Sequence, residues 1–406
     1  MSNPTPAPPS PIEGEGESSN RRRHLEAIWR AGVEACLPAR VLPRHLPAPP
    51  TGRTLVLALG KAAIPMARVV EERWRGPLSG LAVAPTASAG ALERIEAIGA
   101  AHPVPDESSI AAAERLLALA ERAGADDLVL VLLSGGASSL ASLPGEGLDL
   151  AGKQALTRAL LRSGASVSEI NCVRRHLSRF KGGRLALAAP PARLVTLAIS
   201  DVVGDSPEDI GSGPTVADAS GVAEARAILD RHGIEAPARG WSETPARVPG
   251  TWRLVASGPD ALGAAATAAR RLGYSPVLLT CEGEARKIGR EHAALALKAE
   301  PGTALISGGE LTVTVRGPGR GGPNQEYALA AALALEGHAG VTGLAADTDG
   351  IDGPGEAAGA FFGCGAPGGE PALETNDSAT WFASRGALFV TGPTGTNVSD
   401  LRIILT

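Results

Sequence analysis

The segment LVLVLLSGGASSL, residues 128–140, joins six apolar residues to two glycines and a row of small residues. The apolar run predicts a strand buried on both faces, because a half-exposed strand would alternate with polar residues. Gly135 and Gly136 remove every Cβ from the turn that follows, which permits a positive φ and lets a ligand touch main-chain N–H groups. A tight strand-to-helix turn without a ligand explains the same residues, so other parts of the sequence are needed to choose between these two interpretations.

Strand-like and helix-like segments alternate along the chain from about residue 22. Continuous apolar strands followed by helices predict an α/β protein with parallel sheets covered on both faces. The predicted strands are Thr54–Leu59, Leu128–Leu133, Leu194–Ile199, Leu254–Ala256 and Pro276–Thr280. Four of them end in polar or glycine turns: Gly60-Lys61, Ser134–Gly136, Ser200-Asp201 and Ser257-Gly258. Ligands in such folds lie beyond the carboxyl ends of the strands, so these turns predict a shared site.

The chain of 406 residues is long enough for two or three domains. The proline-rich polar segment 236–249 predicts a boundary between a domain at 21–240 and one at 250–406. In the second domain, the alternation of Leu311–Val315 favours an antiparallel strand. Residues 1–20 are rich in Pro, Ser and Glu and predict a disordered tail.

Composition excludes several classes of protein. The net charge of −5 gives no basic footprint for nucleic acid, and no apolar stretch reaches transmembrane length without interruption. The four cysteines are far apart and form no metal-binding spacing, so we expect them to be reduced. Together with an N-terminus that lacks an apolar core, this predicts a cytoplasmic protein.

The chain contains no G-x-x-x-x-G-K-[ST], H-E-x-x-H or G-x-S-x-G motif. Residues 317–322, GPGRGG, fit the dinucleotide fingerprint G-x-G-x-x-G literally. We discount that match because the preceding strand is predicted to be antiparallel and because the loop carries Arg320. An arginine in a glycine loop suits a phosphate or carboxylate, which its planar fork can grip with two hydrogen bonds. A glycine-rich surface loop is the alternative.

Basic residues occur at two further places. Lys61 is one of only five lysines among 38 basic residues, and it follows Gly60 at a predicted helix start. Its compact charge suits an anion site, although it could also be an ordinary surface lysine. The stretch 173–184, VRRHLSRFKGGR, includes Arg174 and Lys181 and could frame an acidic substrate or form a solvated helix face.

Acidic residues cluster after two predicted strands. Asp201 and Asp205 lie in SDVVGD, and Asp349 and Asp352 lie in DTDGIDG. Carboxylates at strand ends can bind Mg²⁺ whose other ligands are water and phosphate, or can act as a base toward a substrate hydroxyl. Asp-Gly turns without a ligand are the alternative. Glycine turns, a lysine, an arginine and carboxylates are together the parts that phosphoryl transfer needs.

Six stretches of this chain closely resemble the glycerate 2-kinase family, from about Arg22 to Thr406 and in the same order. They are LLSGGASSL, VRRHLSRFKGGRLA, ISDVVGDSPEDIGSGPT, SGGELTVTVRGPGRGGPNQE, DTDGIDGPGEAAGA and TGPTGTNVSDL. Two departures are small: Ser399 and Ile351 stand where the family often has Asn and Thr. Some members carry the older name hydroxypyruvate reductase.

The resemblance implies an α/β fold of two domains, a Rossmann-like N-terminal domain with a parallel sheet and a smaller α/β C-terminal domain, called MOFRL, with a mixed sheet. It implies ATP-dependent phosphorylation of D-glycerate to 2-phosphoglycerate, with Mg²⁺, in the cleft between the domains; a homo-oligomer stays open. The family's key lysine and arginine fall on Lys61 and Arg320.

Each candidate residue receives an expected role from these patterns together. We expect catalysis from Lys61, Arg320 and Asp201. We expect substrate or phosphate contacts from Ser134, Gly135, Gly136, Ser138, Arg174, Lys181, Gly319, Gly321 and Asn324. We expect Mg²⁺ at Asp205, Asp349 and Asp352. Which aspartate is the base, and whether the Ser134–Gly136 turn holds phosphate or carboxylate, stays open.

Two other functions remain as alternatives. An NAD(P)-dependent hydroxypyruvate reductase would need fingerprint glycines directly after a parallel strand and an acidic residue for the ribose. A protein that binds nucleotide or sugar acid without catalysis would have little need for two aspartate-rich loops.

Overall fold

A parallel six-stranded sheet forms the first of two units into which the chain folds. The protein is described here by a computed structural model that covers residues 13–86 and 91–406, with side chains from Ser19. The strands of the first sheet are β1 (Thr54–Leu59), β2 (Leu78–Pro85), β3 (Glu96–Ala100), β4 (Leu128–Leu133), β5 (Arg193–Ile199) and β6 (Thr251–Ala256). Their order is β3-β2-β1-β4-β5-β6, and every neighbouring pair is parallel. This is the doubly wound order of Rossmann-like domains.

The helices complete both units and are numbered in chain order. They are α1 (Glu13–Ala35), α2 (Pro38–Val41), α3 (Ala63–Arg73), α4 (Glu107–Glu121), α5 (Ala137–Leu140), α6 (Leu150–Arg162), α7 (Val167–His176), α8 (Arg184–Ala188), α9 (Val222–Arg231), α10 (Gly258–Arg271), α11 (Ala285–Ala296), α12 (Pro323–Ala334), α13 (Gly369–Glu374) and α14 (Ser378–Ala383). A 3₁₀ turn covers Ile210–Ser212. Within the residues that the structure describes, no helix is long and apolar enough to span a membrane.

The first sheet is buried on both faces, as its apolar runs predict. All residues of β1 and β4 are buried. Alternate residues contribute to two separate hydrophobic cores: Leu57 and Val131 belong to one, and Ala58 and Leu130 to the other. The alternation follows from the two-residue period of a strand.

The second unit contains a mixed sheet. Its strands are β7 (Ser275–Thr280), β9 (Thr303–Gly308), β11 (Thr342–Asp347), β12 (Gly359–Gly363), β13 (Leu388–Phe389) and β14 (Asp400–Leu405), in the order β13-β12-β11-β14-β9-β7. Only β7 and β9 pair in parallel; the other neighbours are antiparallel. The largely buried helix α12 packs its apolar residues into the core of this unit.

The strand predicted at Leu311–Val315 differs from the observed one. The strand β10 covers only Leu311–Thr312, and it pairs in parallel with β8 (Gly283–Glu284) in a separate two-stranded sheet. The prediction of an antiparallel strand is therefore wrong, because alternation reports which face is covered and not the direction of the partner.

The two units are not consecutive segments of chain. The first comprises Val33–Ala261 and Pro393–Ser399, and the second comprises the chain up to Gly32, Leu262–Gly392 and Asp400–Thr406. The predicted boundary at 236–249 differs from this division because β6 pairs with β5 and so belongs to the first unit. The motif that ends the chain also contributes to the first unit through residues 393–399.

The predicted tail at residues 1–20 lies partly outside the described residues, which begin at residue 13. From Glu13 the chain is helical, which differs from the disorder expected for residues 13–20. Helix α1 then contacts the second unit: Arg21 donates a hydrogen bond to the Gly340 carbonyl, and the Arg22 guanidinium lies 4.1 Å from the Phe361 ring centre. Composition missed this because the anchoring contacts are more than 300 residues away in sequence.

Candidate functional site

The turns after β1 and β4 lie together at the point where the strand order of the first sheet reverses. The Ser134 N–H donates to the Leu59 carbonyl, and the Lys61 N–H donates to the Gly135 carbonyl at 2.8 Å. The Ser134 hydroxyl accepts a hydrogen bond of 2.9 Å from the Ala62 N–H. Gly60 has a φ of 127°, and a Cβ there would lie 2.5 Å from the Ser134 carbonyl oxygen. These bonds lock the two turns to each other and hold the half-buried Lys61 at the switch point, where doubly wound folds bind ligands.

Asp201, directly beyond β5, explains why the turn after β4 is so bare. A Cβ at Gly135 would fall 1.8 Å from Asp201 Oδ2 and 2.3 Å from Asn397 Nδ2. The glycine is therefore required by two protein side chains, whatever ligand the turn contacts. Gly136 has a left-handed φ of 80°, which lets the turn enter helix α5.

Asn397 is a site residue that the sequence analysis missed. Its Nδ2 donates a hydrogen bond of 2.9 Å to Asp201 Oδ2 and so orients that carboxylate. The segment 393–399 is held on the first unit by Thr396, whose hydroxyl donates to the Cys36 carbonyl at 2.8 Å. The signal for Asn397 was its place in the motif TGPTGTNVSDL, but only the fold assigns this residue to the first sheet. We call Lys61, Ser134–Gly136, Asp201 and Asn397 the sheet-edge site.

Asp205 combines strained backbone with an unpaired oxygen. Its φ is 55°, which non-glycine residues seldom adopt. Its Oδ1 atom is buried without a hydrogen-bond partner among the described residues. An unpaired buried carboxylate oxygen is costly unless something outside the protein satisfies it, so Asp205 fits the metal-binding role predicted for it.

Predicted binding residues Ser138, Arg174 and Lys181 line a small polar pocket beside α5. Lys153, which the sequence analysis did not select, completes it, and we call these four residues the basic pocket. A chain of hydrogen bonds also links Ser138 to Arg174. The hydroxyls of Ser138 and Ser212 are 2.8 Å apart, and the Ser212 hydroxyl donates to the Asn171 amide oxygen at 2.8 Å. The Arg174 guanidinium donates to the same amide oxygen at 3.5 Å. The remaining walls are Pro105, Ser139, Ser142 and Thr157.

The two lysines of the basic pocket are buried deeply. Lys153 is 2% exposed and Lys181 is 1% exposed. Burial, together with the Arg174 charge, lowers the pKa of Lys153 to about 7. Burial also places the pKa of Lys181 well below its usual value, aided by Lys153 and Arg174, and lowers the pKa of Arg174 to about 10. Burial and neighbouring positive charge therefore both disfavour the protonated form of the two lysines.

The glycines of the loop 317–322 are needed for packing in the second unit. A Cβ at Gly317 or Gly319 would come within 2.6 Å of Thr375 atoms, and one at Gly321 would lie 2.2 Å from the Ser378 hydroxyl. This accounts for Gly319 and Gly321 without a ligand. The Arg320 N–H donates to Asp377 Oδ1 at 3.0 Å, which fixes the backbone while the Arg320 side chain is exposed.

Asp352 lies under the first turn of α12. Its Oδ1 accepts from the N–H and side-chain amide of Asn324, and its Oδ2 accepts from the N–H and side-chain amide of Gln325, at 2.8–3.3 Å. Burial raises the pKa of Asp352 to about 7, against the effect of these donors. Both oxygens are thus occupied by helix-capping bonds, which argues against the metal-binding role predicted for this residue.

Asn324 and Asp349 also hold local structure. The buried amide of Asn324 donates to Asp400 Oδ1 at 2.7 Å, so its predicted ligand contact competes with a protein contact. Asp349 Oδ1 accepts from the Ile351 N–H at 2.8 Å and shapes the loop after β11. Among the residues described, no three His, Cys, Asp or Glu side chains are grouped closely enough to hold a metal ion.

Proteins of known name or structure are similar to this chain over almost its whole length. Residues 24–241 match a family described as a domain of unknown function, DUF4147, and residues 303–400 match the MOFRL family. A D-glycerate 2-kinase from Thermotoga maritima is 41% identical over 400 residues, which cover 93% of this chain and 96% of that protein. A protein from Agrobacterium vitis, provisionally named hydroxypyruvate reductase, is 46% identical and covers 95% of this chain and 94% of its own. The crystal structure of a glycerate kinase from Thermotoga maritima matches with a TM-score of 0.83 at 38% identity, covering 95% of this chain and 99% of that one.

Proposed function

Because the chain belongs to the glycerate 2-kinase family, we propose that it transfers the γ-phosphoryl group of ATP to the 2-hydroxyl of D-glycerate. The observation that supports this most directly is the sheet-edge site. It combines a lysine, whose main chain is bonded to the turn after β4, with an oriented carboxylate at the switch point of a doubly wound sheet. Phosphoryl transfer needs those two groups, one to neutralise charge and one to receive a proton.

Asp201 is the base in this proposal. The bond between the 2-oxygen of glycerate and the γ-phosphorus forms while the bond to the β-phosphate oxygen breaks, and the hydroxyl proton passes to Asp201. ADP leaves with the electron pair of the broken bond. The hydrogen bond from Asn397 to Oδ2 orients the carboxylate that receives the proton. Lys61 stabilises the negative charge of the phosphate oxygens during transfer.

Mg²⁺ fits the first unit through Asp205, whose buried Oδ1 lacks a partner among the described residues. When bound, the ion would be held by Asp205 and would neutralise part of the negative charge of the nucleotide phosphates. Magnesium commonly takes only one or two carboxylates from the protein, so the lack of a three-carboxylate cluster in the described chain agrees with this assignment.

The reductase alternative lacks a dinucleotide site in the first sheet, where β1 is followed by Gly60-Lys61-Ala62 instead of the fingerprint glycines. The literal match at 317–322 does follow a parallel strand, contrary to the sequence prediction, but that strand has two residues. Its glycines already face Thr375 and Ser378, and Gly322 faces Asp352 at 2.4 Å from the added Cβ. A pyrophosphate would have to displace these contacts.

The test is an assay of the purified full-length chain with D-glycerate, ATP and Mg²⁺, run beside NADH and NADPH oxidation with hydroxypyruvate. We expect ADP and 2-phosphoglycerate to form in equal amounts. Asp201→Asn should lower kcat at least a hundredfold, since its amide cannot accept the proton. Hydroxypyruvate-dependent oxidation of NADH without ADP formation would overturn the proposal, and stoichiometric binding without turnover would favour the non-catalytic alternative.

A further inference from the structure

The basic pocket contains three buried or half-buried cations whose partners are all neutral. Lys153 Nζ donates to the Leu177 carbonyl at 3.0 Å. Lys181 Nζ donates to the carbonyls of Ser138 and Ala141. Among the described residues, Arg174 donates a hydrogen bond to the Asn171 amide oxygen alone, at 3.5 Å. Within the described chain no carboxylate pairs with any of the three.

Other buried cations of this protein are paired with acids. Arg175, the residue after Arg174, lies 2.8 Å from Asp218 and 3.3 Å from Asp209. Arg286 and Arg402 in the second unit have carboxylates at 3.0 and 2.8 Å. A buried charge normally requires such compensation, because desolvation costs several kcal/mol per ion. Among these buried cations, those of the basic pocket lack a compensating carboxylate. An anion from outside the chain would supply the missing negative charge.

The cations of the pocket also have N–H donors that make no hydrogen bond within the described chain. An ammonium group has three N–H donors, and Lys153 spends one on Leu177. The guanidinium of Arg174 has five, and one makes a long bond to Asn171. Ser138, which lines the pocket, lies two residues after the Ser134–Gly136 turn in helix α5, and this short helix connects the pocket to the sheet-edge site. The turn itself is a poorer place for an anion, because the Asp201 carboxylate already lies against Gly135.

We propose that Lys153 and Arg174, supported by Lys181 and Ser138, bind the carboxylate of the acidic substrate. This inference rests on the proposed function for the identity of that substrate. Glycerate carries one carboxylate, and the N–H donors that Lys153 and Arg174 have left over are enough to bind its two oxygens. Lys153 is then a specificity-determining residue, and Lys181 chiefly positions the carbonyls of Ser138 and Ala141.

The test compares Lys153→Met with Lys287→Met in the full-length protein. Lys287 is an exposed lysine in the second unit and serves as the matched control. We expect Lys153→Met to raise the KM for D-glycerate 10- to 100-fold, the effect of losing one charge-assisted hydrogen bond, while the KM for ATP changes less than twofold. The neutral amide glyceramide should bind both proteins equally weakly. Arg174→Gln is the second variant, should Lys153→Met fail to fold, and should behave in the same way.

A pH profile gives a readout that a structural lysine would not share. The pKa of Lys153 is about 7, with Arg174 and Lys181 facing it, and a bound carboxylate favours its protonated form. The KM of the wild type for D-glycerate should therefore rise as pH increases above 7, and Lys153→Met should lack that rise.

Calorimetric titration with D-glycerate alone detects the pocket even if no phosphoryl transfer occurs, which separates this inference from the proposed function. An unchanged glycerate affinity in folded Lys153→Met and Arg174→Gln would overturn the inference, and so would a selective loss of ATP affinity.

Discussion

At the scale of single residues, the same residue type serves different purposes according to what surrounds it. Arg175 is buried between two aspartates, whereas Arg174 next to it lies in a pocket without an acid. Gly135 makes room for Asp201, whereas Gly319 makes room for Thr375. Identity alone therefore does not assign a role, and the neighbours within a few ångströms do.

Arg320 and Lys61 give the residue-scale prediction. Arg320→Ala and Lys61→Ala should each lower kcat about a hundredfold, since losing one charge-assisted contact to a transferring phosphoryl group costs about 3 kcal/mol. The Arg320 side chain is exposed, so the melting temperature of its alanine variant should not change. Arg320→Lys should recover little, because lysine lacks the planar fork.

Arg316→Ala, which removes a neighbouring exposed arginine, is the control for Arg320 in steady-state kinetics. If Arg320→Ala kept kcat within a few-fold of the wild type, the loop 317–322 would be a structural loop only.

At the scale of elements, helix ends are built by residues from distant parts of the chain. The first turn of α12 is capped by Asp352, 28 residues from Asn324 along the chain. The loop before it is anchored by Asn376, whose Oδ1 accepts from the Arg316 and Gly317 N–H groups. Asn376 in turn donates to the buried Glu326, which pairs with Arg286. The loop that carries Arg320 is thus held rigidly by a buried polar network.

Asp352 gives the element-scale prediction. Asp352→Ala removes four hydrogen bonds from the first turn of α12 and should lower the free energy of unfolding by about 1–3 kcal/mol, as measured by urea denaturation. Glu336→Ala, an exposed change just beyond the same helix, should stay within about 0.5 kcal/mol. A variant of unchanged stability that needed more Mg²⁺ for half-maximal activity would instead support the metal-binding role.

At the scale of the whole molecule, the chain enters the first unit twice. Residues 393–399 return to it after the second sheet is nearly complete, bringing Thr396 and Asn397. The first unit therefore cannot be cut out as one continuous segment without losing part of the sheet-edge site.

Fragments test this organisation. A fragment of residues 33–261 should melt at a lower temperature than the same fragment with a synthetic peptide of residues 391–401, because the peptide restores the hydrogen bonds to Cys36 and Asp201. The same peptide with Asn397→Ala should stabilise less, and a scrambled peptide not at all. A fragment of residues 21–240 should be less stable still, since it lacks β6. Equal melting temperatures with and without the peptide would contradict the assignment of 393–399 to the first unit.

Much of the first unit could be predicted from the sequence because its signals are local. An apolar run of six residues is enough to define a doubly buried strand, and the residues at its end are then placed at the carboxyl edge of the sheet. Lys61, Ser134 and Asp201 followed from that rule. The α/β class and the mixed second sheet agree with the resemblance to the glycerate 2-kinase family.

Only the tertiary structure decided the features that depend on distant contacts. Periodicity did not reveal that β10 is parallel, that α1 begins at Glu13, or that residues 393–399 belong to the first unit. Nor could spacing distinguish Asp352, a helix cap, from Asp205, whose oxygen is unpaired in the described chain. Nothing in the sequence distinguishes Lys153 from an ordinary lysine of a helix. It becomes a candidate ligand for a carboxylate because folding buries it beside two other cations without an acid, and burial and charge compensation are properties of the folded state alone.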